Sequence, residues 1–221
     1  MTTLIIDSTK LAVPSEVTDL ESFRRWVDEP DFPETGHIWW LRGGVWADMS
    51  KEQVFTHIAV KGEIFRVLAN LMAAEKLGIV LTDGLLITNE EADLSGKPDA
   101  TFISHERWEA GHVEFVPGRK NGFTEVRGSP DMVLEVVSAS SEEKDFVLLR
   151  DAYHIAGVLE YWLVDARREP PAFEILRRRA TGFVATRKQS GWMKSEVFGK
   201  SFRFGQTTDK FGGPQFQLEV R

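Results

Sequence analysis

Glu135 is the residue whose setting most needs a chemical explanation. It stands in Asp131-Met132-Val133-Leu134-Glu135-Val136-Val137, opened by Pro130. Successive side chains of a strand point to opposite faces. Met132, Leu134 and Val136 then line one face and Val133 and Val137 the other, so this is a central strand buried on both sides. A carboxylate between Val133 and Val137 is costly there unless it is paired, protonated or bound to a metal ion. A structural ion pair or an edge position would also account for it. Asp131 shares the face of Glu135, but four residues at about 3.3 Å each separate the two by about 13 Å. That is too far to grip one ion whose oxygen ligands sit at about 2.0–2.1 Å, as magnesium's do, so Asp131 reads as a cap or partner near the strand start. Asp99 follows Pro98 on a separate strand. An Asp and a Glu from neighbouring strands could hold one divalent ion. Such an ion polarises a phosphate oxygen and lowers the pKa of a bound water from about 15.7 towards neutrality, the chemistry of metal-assisted hydrolysis. A lysine nearby would stabilise the developing charge or orient the water. Lys144, in the first turn of the following helix, has a stem long enough to return its ammonium to the strand end; plain solvent exposure is its alternative.

The elements that must position these groups are legible in outline. Thr18-Asp19-Leu20-Glu21 resembles a capping box with Thr18 as N-cap, which predicts a short helix to about Asp28, closed by Pro30 and Pro33. Residues 37–42 and 45–48 flank Gly43-Gly44 as a β-hairpin. Ser50, with Gln53 as its box partner, caps a long helix of about 51–77, in which Val54, Ile58, Phe65, Leu68 and Met72 form an apolar stripe. Residues 79–82, 85–88 and 98–103 read as strands, 89–96 as a polar loop and 117–128 as a mobile loop. Ser140 and Glu143 form a capping box for a helix of about 141–156, and 159–165 is a second doubly buried strand. Strand, helix and strand with short joints make a βαβ crossover with parallel strands. Beyond Asp165 short alternating segments, 172–177 and 183–187, are punctuated by turns. The expected class is α/β or α+β, a mixed sheet with helices against it. The divisions are an arm and short helix (1–34), a core (35–168) and a β-rich tail packed on the core (169–221).

Composition narrows the chemistry. The 221 residues include 7 Trp and 15 Phe, enough for a core that needs neither a disulfide nor a structural metal. The absence of Cys excludes disulfides, cysteine zinc sites, iron–sulfur clusters and a thiol nucleophile, and fits a reducing, cytoplasmic interior. No apolar run approaches the roughly 18 residues of a membrane span, and no basic segment precedes Leu4-Ile5-Ile6 as a signal peptide would require. There is no Walker A loop, zinc-binding His-Glu-x-x-His or Gly-x-Ser-x-Gly elbow. His112-Val113-Glu114 is half of a deaminase signature whose Cys pair is impossible here. A net charge of −7 argues against nonspecific nucleic-acid binding by the whole surface. Residues 166–210, however, carry 11 Lys and Arg against 4 Asp and Glu. Within them Arg177, Arg178 and Arg179 form either a solvated strand end or a phosphate-contacting edge.

Three segments taken together carry a family resemblance: Gly96-Lys97-Pro98-Asp99, Pro130 through Ser138, and Ala156 through Asp165. They resemble the Uma-type family, bacterial restriction-endonuclease-like proteins of the PD-(D/E)XK nuclease superfamily, over about residues 35–180 and in the family's order. The resemblance implies a restriction-endonuclease-like mixed central sheet flanked by helices, with magnesium (or manganese) bound by Asp99 and Glu135. On that footing the chain is a metal-dependent endonuclease acting on DNA, with Lys144 supporting the attacking water or the charged phosphate and the basic tail contacting the backbone. The sequence departs from the pattern at two positions. The superfamily lysine two residues after the glutamate is Val137 here, and Leu149 stands where the family often has a lysine further along the helix, so Lys144 is a relocated candidate. His57 stands at a family-like position in the long helix, and Lys61 lies one turn on, on the same face; both are second-tier candidates, with Glu52 and Glu63 weaker acidic ones. A rival reading is a catalytically inactive nuclease-fold module that binds nucleic acid or a protein partner. A third is an acidic structural protein indifferent to nucleic acid. The β tail could support a homodimer.

Overall fold

The computed structural model describes residues 4–6, 11–118 and 122–221. In chain order these form β1 (Leu4–Ile6), α1 (Leu20–Val27), β2 (His37–Leu41), β3 (Val45–Asp48) and α2 (Val60–Glu75), the last entered through a π-helical turn at Val54–Ala59. Then come β4 (Gly78–Thr82), β5 (Leu86–Asn89), β6 (Leu94–Gly96), β7 (Ala100–Ser104), α3 (His105–Glu109), β8 (Val113–Pro117), β9 (Phe123–Gly128) and β10 (Met132–Val136). A second π-helical turn at Lys144–Leu148 leads into α4 (Leu149–Ile155). The chain ends in β11 (Glu160–Asp165), β12 (Ala172–Arg179), β13 (Gly182–Ala185), β14 (Met193–Lys194), β15 (Ser201–Thr208) and β16 (Pro214–Val220).

The functional core is a six-stranded sheet in the order β13-β12-β11-β10-β7-β4. Its central pair, β10 and β11, is parallel and joined by α4, while β7 runs antiparallel to β10. As the alternation requires, Met132, Leu134 and Val136 pack with Val60, Ile64 and Leu68 of α2 on one face. Val133 and Val137 pack with Leu149, Ala152 and Tyr153 of α4 on the other. Each fully buried side chain of this kind contributes about 1.5–3 kcal/mol of transfer free energy, and the two clusters together fix β10 from both sides. A seven-stranded sheet, β1-β3-β2-β6-β5-β9-β8, covers the α4 side through Trp39, Trp46, Ile87 and Leu94. Gly96 of β6 is sterically necessary, since a Cβ there would fall 1.9 Å from the Trp39 ring. The three-stranded meander β14-β15-β16 covers the α2 side with Phe202, Phe216 and Leu218. Among the described residues no helix is long and apolar enough to cross a membrane.

Local punctuation differs from expectation at several points. Asp19, not Thr18, caps α1, because its carboxylate accepts from Ser22 N at 2.8 Å while Ser22 Oγ accepts from Asp19 N at 3.0 Å. The hairpin turn is Arg42-Gly43, both at positive φ (49° and 78°), one residue earlier than Gly43-Gly44. Gln53, not Ser50, caps the long helix through its side chain. The π-helical turn then shifts the helical phase, so Val54 and Ile58 face outward and the buried stripe is Val60, Ile64, Val67, Leu68, Leu71 and Met72. The box before α4 is Ser138 with Ser141, bonded reciprocally, instead of Ser140 with Glu143. The expected loops at 89–96 and 117–128 instead hold β6 and most of the β8–β9 hairpin, residues 119–121 lying outside the described residues. Of the N-terminal arm, Leu4–Ile6 pairs in parallel with β3, and residues 1–3 and 7–10 lie outside the described residues.

Candidate active site

Register brings the two acids together. Leu134 of β10 faces Ala100 of β7, and Asp99 N donates to the Leu134 carbonyl at 3.1 Å, which sets Asp99 beside Glu135 at the strand end. Asp99 Oδ2 accepts a hydrogen bond from Val136 N at 2.6 Å. Glu135 Oε1 accepts from the Tyr153 hydroxyl at 2.8 Å, and its Oε2 lies 3.3 Å from Lys144 Nζ. Lys144 is itself buried, held 2.6 Å from Asp145 Oδ1 and over the rings of Trp39 and Trp46 at 4.8 and 5.1 Å. Its anticipated alternative, solvent exposure, does not occur: it is 3% exposed. Burial disfavours its charge, but Asp145 and Glu135 outweigh burial and raise its pKa, so it stays an ammonium. For Glu135 burial drives the pKa well above the carboxylate range; Lys144 opposes this, and Asp99 and Asp145 add to it.

A second layer comes from the start of α2. His57 Nε2 is 3.7 Å and Lys61 Nζ 3.5 Å from the Asp99 carboxylate. Glu52 organises this layer. It accepts from Lys61 at 2.8 Å, contacts His37 at 3.0 Å, and lies 3.4 Å from His57 Nδ1 without the alignment of a hydrogen bond. The contact with His37, followed by that with His57, holds Glu52 well below the usual carboxylate range. Burial opposes the charged forms of His57 and Lys61, yet Glu52 and Asp99 outweigh it at His57, and Asp99 and Asp83 at Lys61. Asp99, Glu135, Lys144, Asp145, Glu52 and His57 all line one cleft of ≈ 210 Å³, walled by the Ser138–Ser141 turn on one side and residues 50–53 on the other.

A model of the Uma2 family, described as "Putative restriction endonuclease", matches residues 20–203. The chain belongs to the Uma2 family. A crystal structure from Anabaena variabilis ATCC 29413, described as a putative nuclease belonging to DUF820, has a TM-score of 0.60 and 15% identity, covering 82% of this chain and 90% of that one. The fold is therefore the restriction-endonuclease-like one, a mixed α+β arrangement. No curated protein matches.

The Uma2 site takes in only some of the residues singled out by sequence. Asp131 accepts from Ser104 N and Oγ at 2.7 and 3.0 Å, away from Glu135, as a strand-start partner. Glu63 is turned to Arg66 and to Leu218 N of β16. Arg177, Arg178 and Arg179 do not line the cleft. Arg177 pairs with Glu160 at the opposite end of β11 and Arg179 with Gly182 of β13, and alternation along β12 splits the side chains: Arg178 bonds the His154 carbonyl of α4, while Arg177 and Arg179 pair with Glu196. Sequence reading missed Asp145, Tyr153 and His37. Asp145 adjoins Lys144 in sequence, and that adjacency was the available signal. Tyr153 reads in sequence as part of an apolar stripe, which its ring satisfies while its hydroxyl serves Glu135.

The carboxylate pair suits a hard divalent cation. Magnesium is held by one or two carboxylates together with waters and substrate phosphate oxygens. Among the described residues no group of three or more His, Asp or Glu is placed to hold a metal ion, so an ion here would have only the two carboxylates as protein ligands. Burial first, and then the neighbouring Asp99 and Asp145 carboxylates, disfavour the ionised form of Glu135, and a cation bound between the acids would favour it.

Proposed function

We propose that this chain is a metal-dependent endonuclease that hydrolyses phosphodiester bonds in DNA, with magnesium (or manganese) held by Asp99 and Glu135. One observation carries the reading: Asp99, just before β7, and Glu135 of β10 line a single cleft from neighbouring strands, with the Lys144 ammonium 3.3 Å from Glu135. The Uma2 description and the nuclease description of the Anabaena protein support it. A divalent ion there would supply Lewis-acid polarisation of a phosphate oxygen and a water of lowered pKa. The protein's part is pre-organisation. Val136 N orients Asp99 and Tyr153 orients Glu135, so neither carboxylate must be gathered at the moment of reaction. Lys144, kept charged and shielded by two indole rings, presents fixed positive charge to the phosphate or orients the attacking water. His57 and Lys61 set positive charge beside Asp99.

The test is magnesium-dependent nicking of plasmid and oligonucleotide DNA by the parent, Glu135→Ala and Asp99→Ala. The expected loss is at least 100-fold for each variant, and equal rates in all three would refute the assignment. The Lys144–Asp145 pair and the two rings also suit a lysine retained for structure alone, which favours, as a second reading, an inactive module binding nucleic acid or a protein partner. Calorimetry separates the two: no heat with millimolar magnesium or manganese, with DNA still bound, supports the module.

A further inference from the structure

A second concavity, of ≈ 390 Å³, borders α4 and shares no lining residue with the cleft. Arg42 of the β2–β3 turn and Arg150 and His154 of α4 line it, and Thr181 of the β12–β13 turn adds a hydroxyl. Asp151 is the one carboxylate among the residues that line it. In a chain of net charge −7 this local excess of positive charge needs a reason. Arg150 is half-buried and, among the described residues, has no ion-pair partner. Its Nη2 donates to the Phe183 carbonyl at 2.9 Å, which fixes the guanidinium and leaves most of its five N–H donors for another acceptor. Arg42 stands at φ 49° in a two-residue turn, a conformation that asparagine, aspartate and glycine take readily and arginine does not. A strained residue kept in such a place points to a use for its side chain. Arg42 Nη2 lies 3.5 Å from Asp151, and both side chains are exposed (43% and 62%), so this ion pair is weak and open to exchange. Capping of α4 does not account for the set, because Arg178 Nε already donates to the His154 carbonyl at 3.1 Å. A guanidinium fork matches carboxylate and phosphate alike. Here, however, the donors come from three separate elements. A tetrahedral phosphate offers oxygens in several directions, where a carboxylate offers two in one plane.

We propose that this pocket binds a phosphate group, with Arg42 and Arg150 as its two charged donors. The group belongs either to a small phosphate compound or to the backbone of a nucleic-acid strand. Lys144 and His154 are ten residues apart, about 15 Å along a helix. That is about four or five nucleotides at about 3.4 Å each. The pocket does not depend on the nuclease reading, since phosphate binding is measured without metal and without cleavage. The test is NMR of the amide groups of the parent, Arg42→Gly and Arg150→Gln, titrated with inorganic phosphate in metal-free buffer, with acetate as the carboxylate control. Phosphate should shift the resonances of Arg42, Arg150, His154 and Gly182 and leave those of Ser138–Ser141, in the cleft, in place. Acetate at the same concentration should move neither set. Each substitution should weaken phosphate binding about tenfold, as loss of a hydrogen bond to a charged group does. Glycine takes φ 49° freely, so Arg42→Gly should melt close to the parent while losing affinity, a combination that a purely structural arginine would not give. Oligonucleotides identify the source. For a backbone phosphate, both variants bind a strand of about ten nucleotides more weakly than the parent and a dinucleotide equally well. For a small phosphate compound, both bind either oligonucleotide as the parent does. Both results support the pocket. Phosphate shifts that are absent at these residues, confined to Ser138–Ser141, equal in the parent and both variants, or matched by acetate overturn the proposal.

Discussion

At the residue scale, Glu135 and Lys144 show how a site can be costly to keep. A carboxyl whose folded pKa lies above its unfolded value, about 4.3 for glutamate, favours the folded state most when protonated. That stability is fully present below the unfolded value and is lost as pH rises through the folded one. Burial first, then Asp99 and Asp145, set this direction at Glu135. Glu135→Gln should therefore melt at a higher temperature than the parent at neutral pH without divalent ions, and the gap should close as pH falls towards about 4. The amide fits the same contacts, its oxygen facing Lys144 and its nitrogen donating to the Tyr153 hydroxyl. A lower melting temperature at pH 7 would contradict this. Lys144→Met should act in the opposite sense. Methionine fills the space beside Trp39 and Trp46 but leaves Asp145 and Glu135 buried without their cation, which costs roughly 3–5 kcal/mol. Urea unfolding at pH 7 measures it.

At the scale of elements, the C-terminal meander is tied to the six-stranded sheet by one buried carboxylate. Glu160, at the start of β11, accepts from Trp162 Nε1, Ser195 Oγ, Glu196 N and Val197 N. Glu160→Ala strands these donors and should cost roughly 1–3 kcal/mol, with protease cleavage first appearing around residues 195–200; unchanged proteolysis would show that the apolar contacts of Phe198 and Phe202 suffice. The sequence reveals this arrangement only in part. The β10–α4–β11 unit is readable because both strands are apolar on both faces, a signal local to each segment. The helix starts are not, because Thr18 and Asp19, or Ser138, Ser140 and Ser141, are all competent caps within three residues of one another, and tertiary partners decide among them: Asp48 takes Ser140. The two π-helical turns are invisible to a 3.6-residue template, which is why that template places Val54 and Ile58 in the core. The separation of β4 and β5 into different sheets depends on distant partners, Ile103 and Val126 among them, that no local pattern specifies.

At the scale of the whole molecule, the acid pair is legible because strand register is a short-range rule once two strands are known to be neighbours. The layer around Glu52 is not, because it gathers side chains from β2, the start of α2 and the β4–β5 turn. Charge is likewise distributed over the surface in a way that a run of letters cannot convey. Glu174 of β12 lies two strands across from Glu135, and Arg177, Arg178 and Arg179 follow it by three, four and five residues. At about 3.3 Å per residue and about 4.8 Å per strand this is about 14 Å for Arg177 and about 19 Å for Arg179, outside the cleft but within reach of a longer DNA strand if its scissile phosphate were to lie at Asp99 and Glu135. If that edge touches the DNA backbone, replacing all three arginines with glutamine should leave binding of an oligonucleotide only a few residues long within about twofold of the parent. For long single strands the same replacement should weaken binding and flatten the dependence of log K on log salt by about 0.7 for each phosphate that the edge no longer neutralises. Glu196 already neutralises part of Arg177 and Arg179, so the slope should change by nearer one phosphate's worth than three, carried mainly by Arg178. Identical salt slopes for parent and variant on long DNA would assign the whole run to a solvated strand end and leave substrate binding to the cleft and its rim.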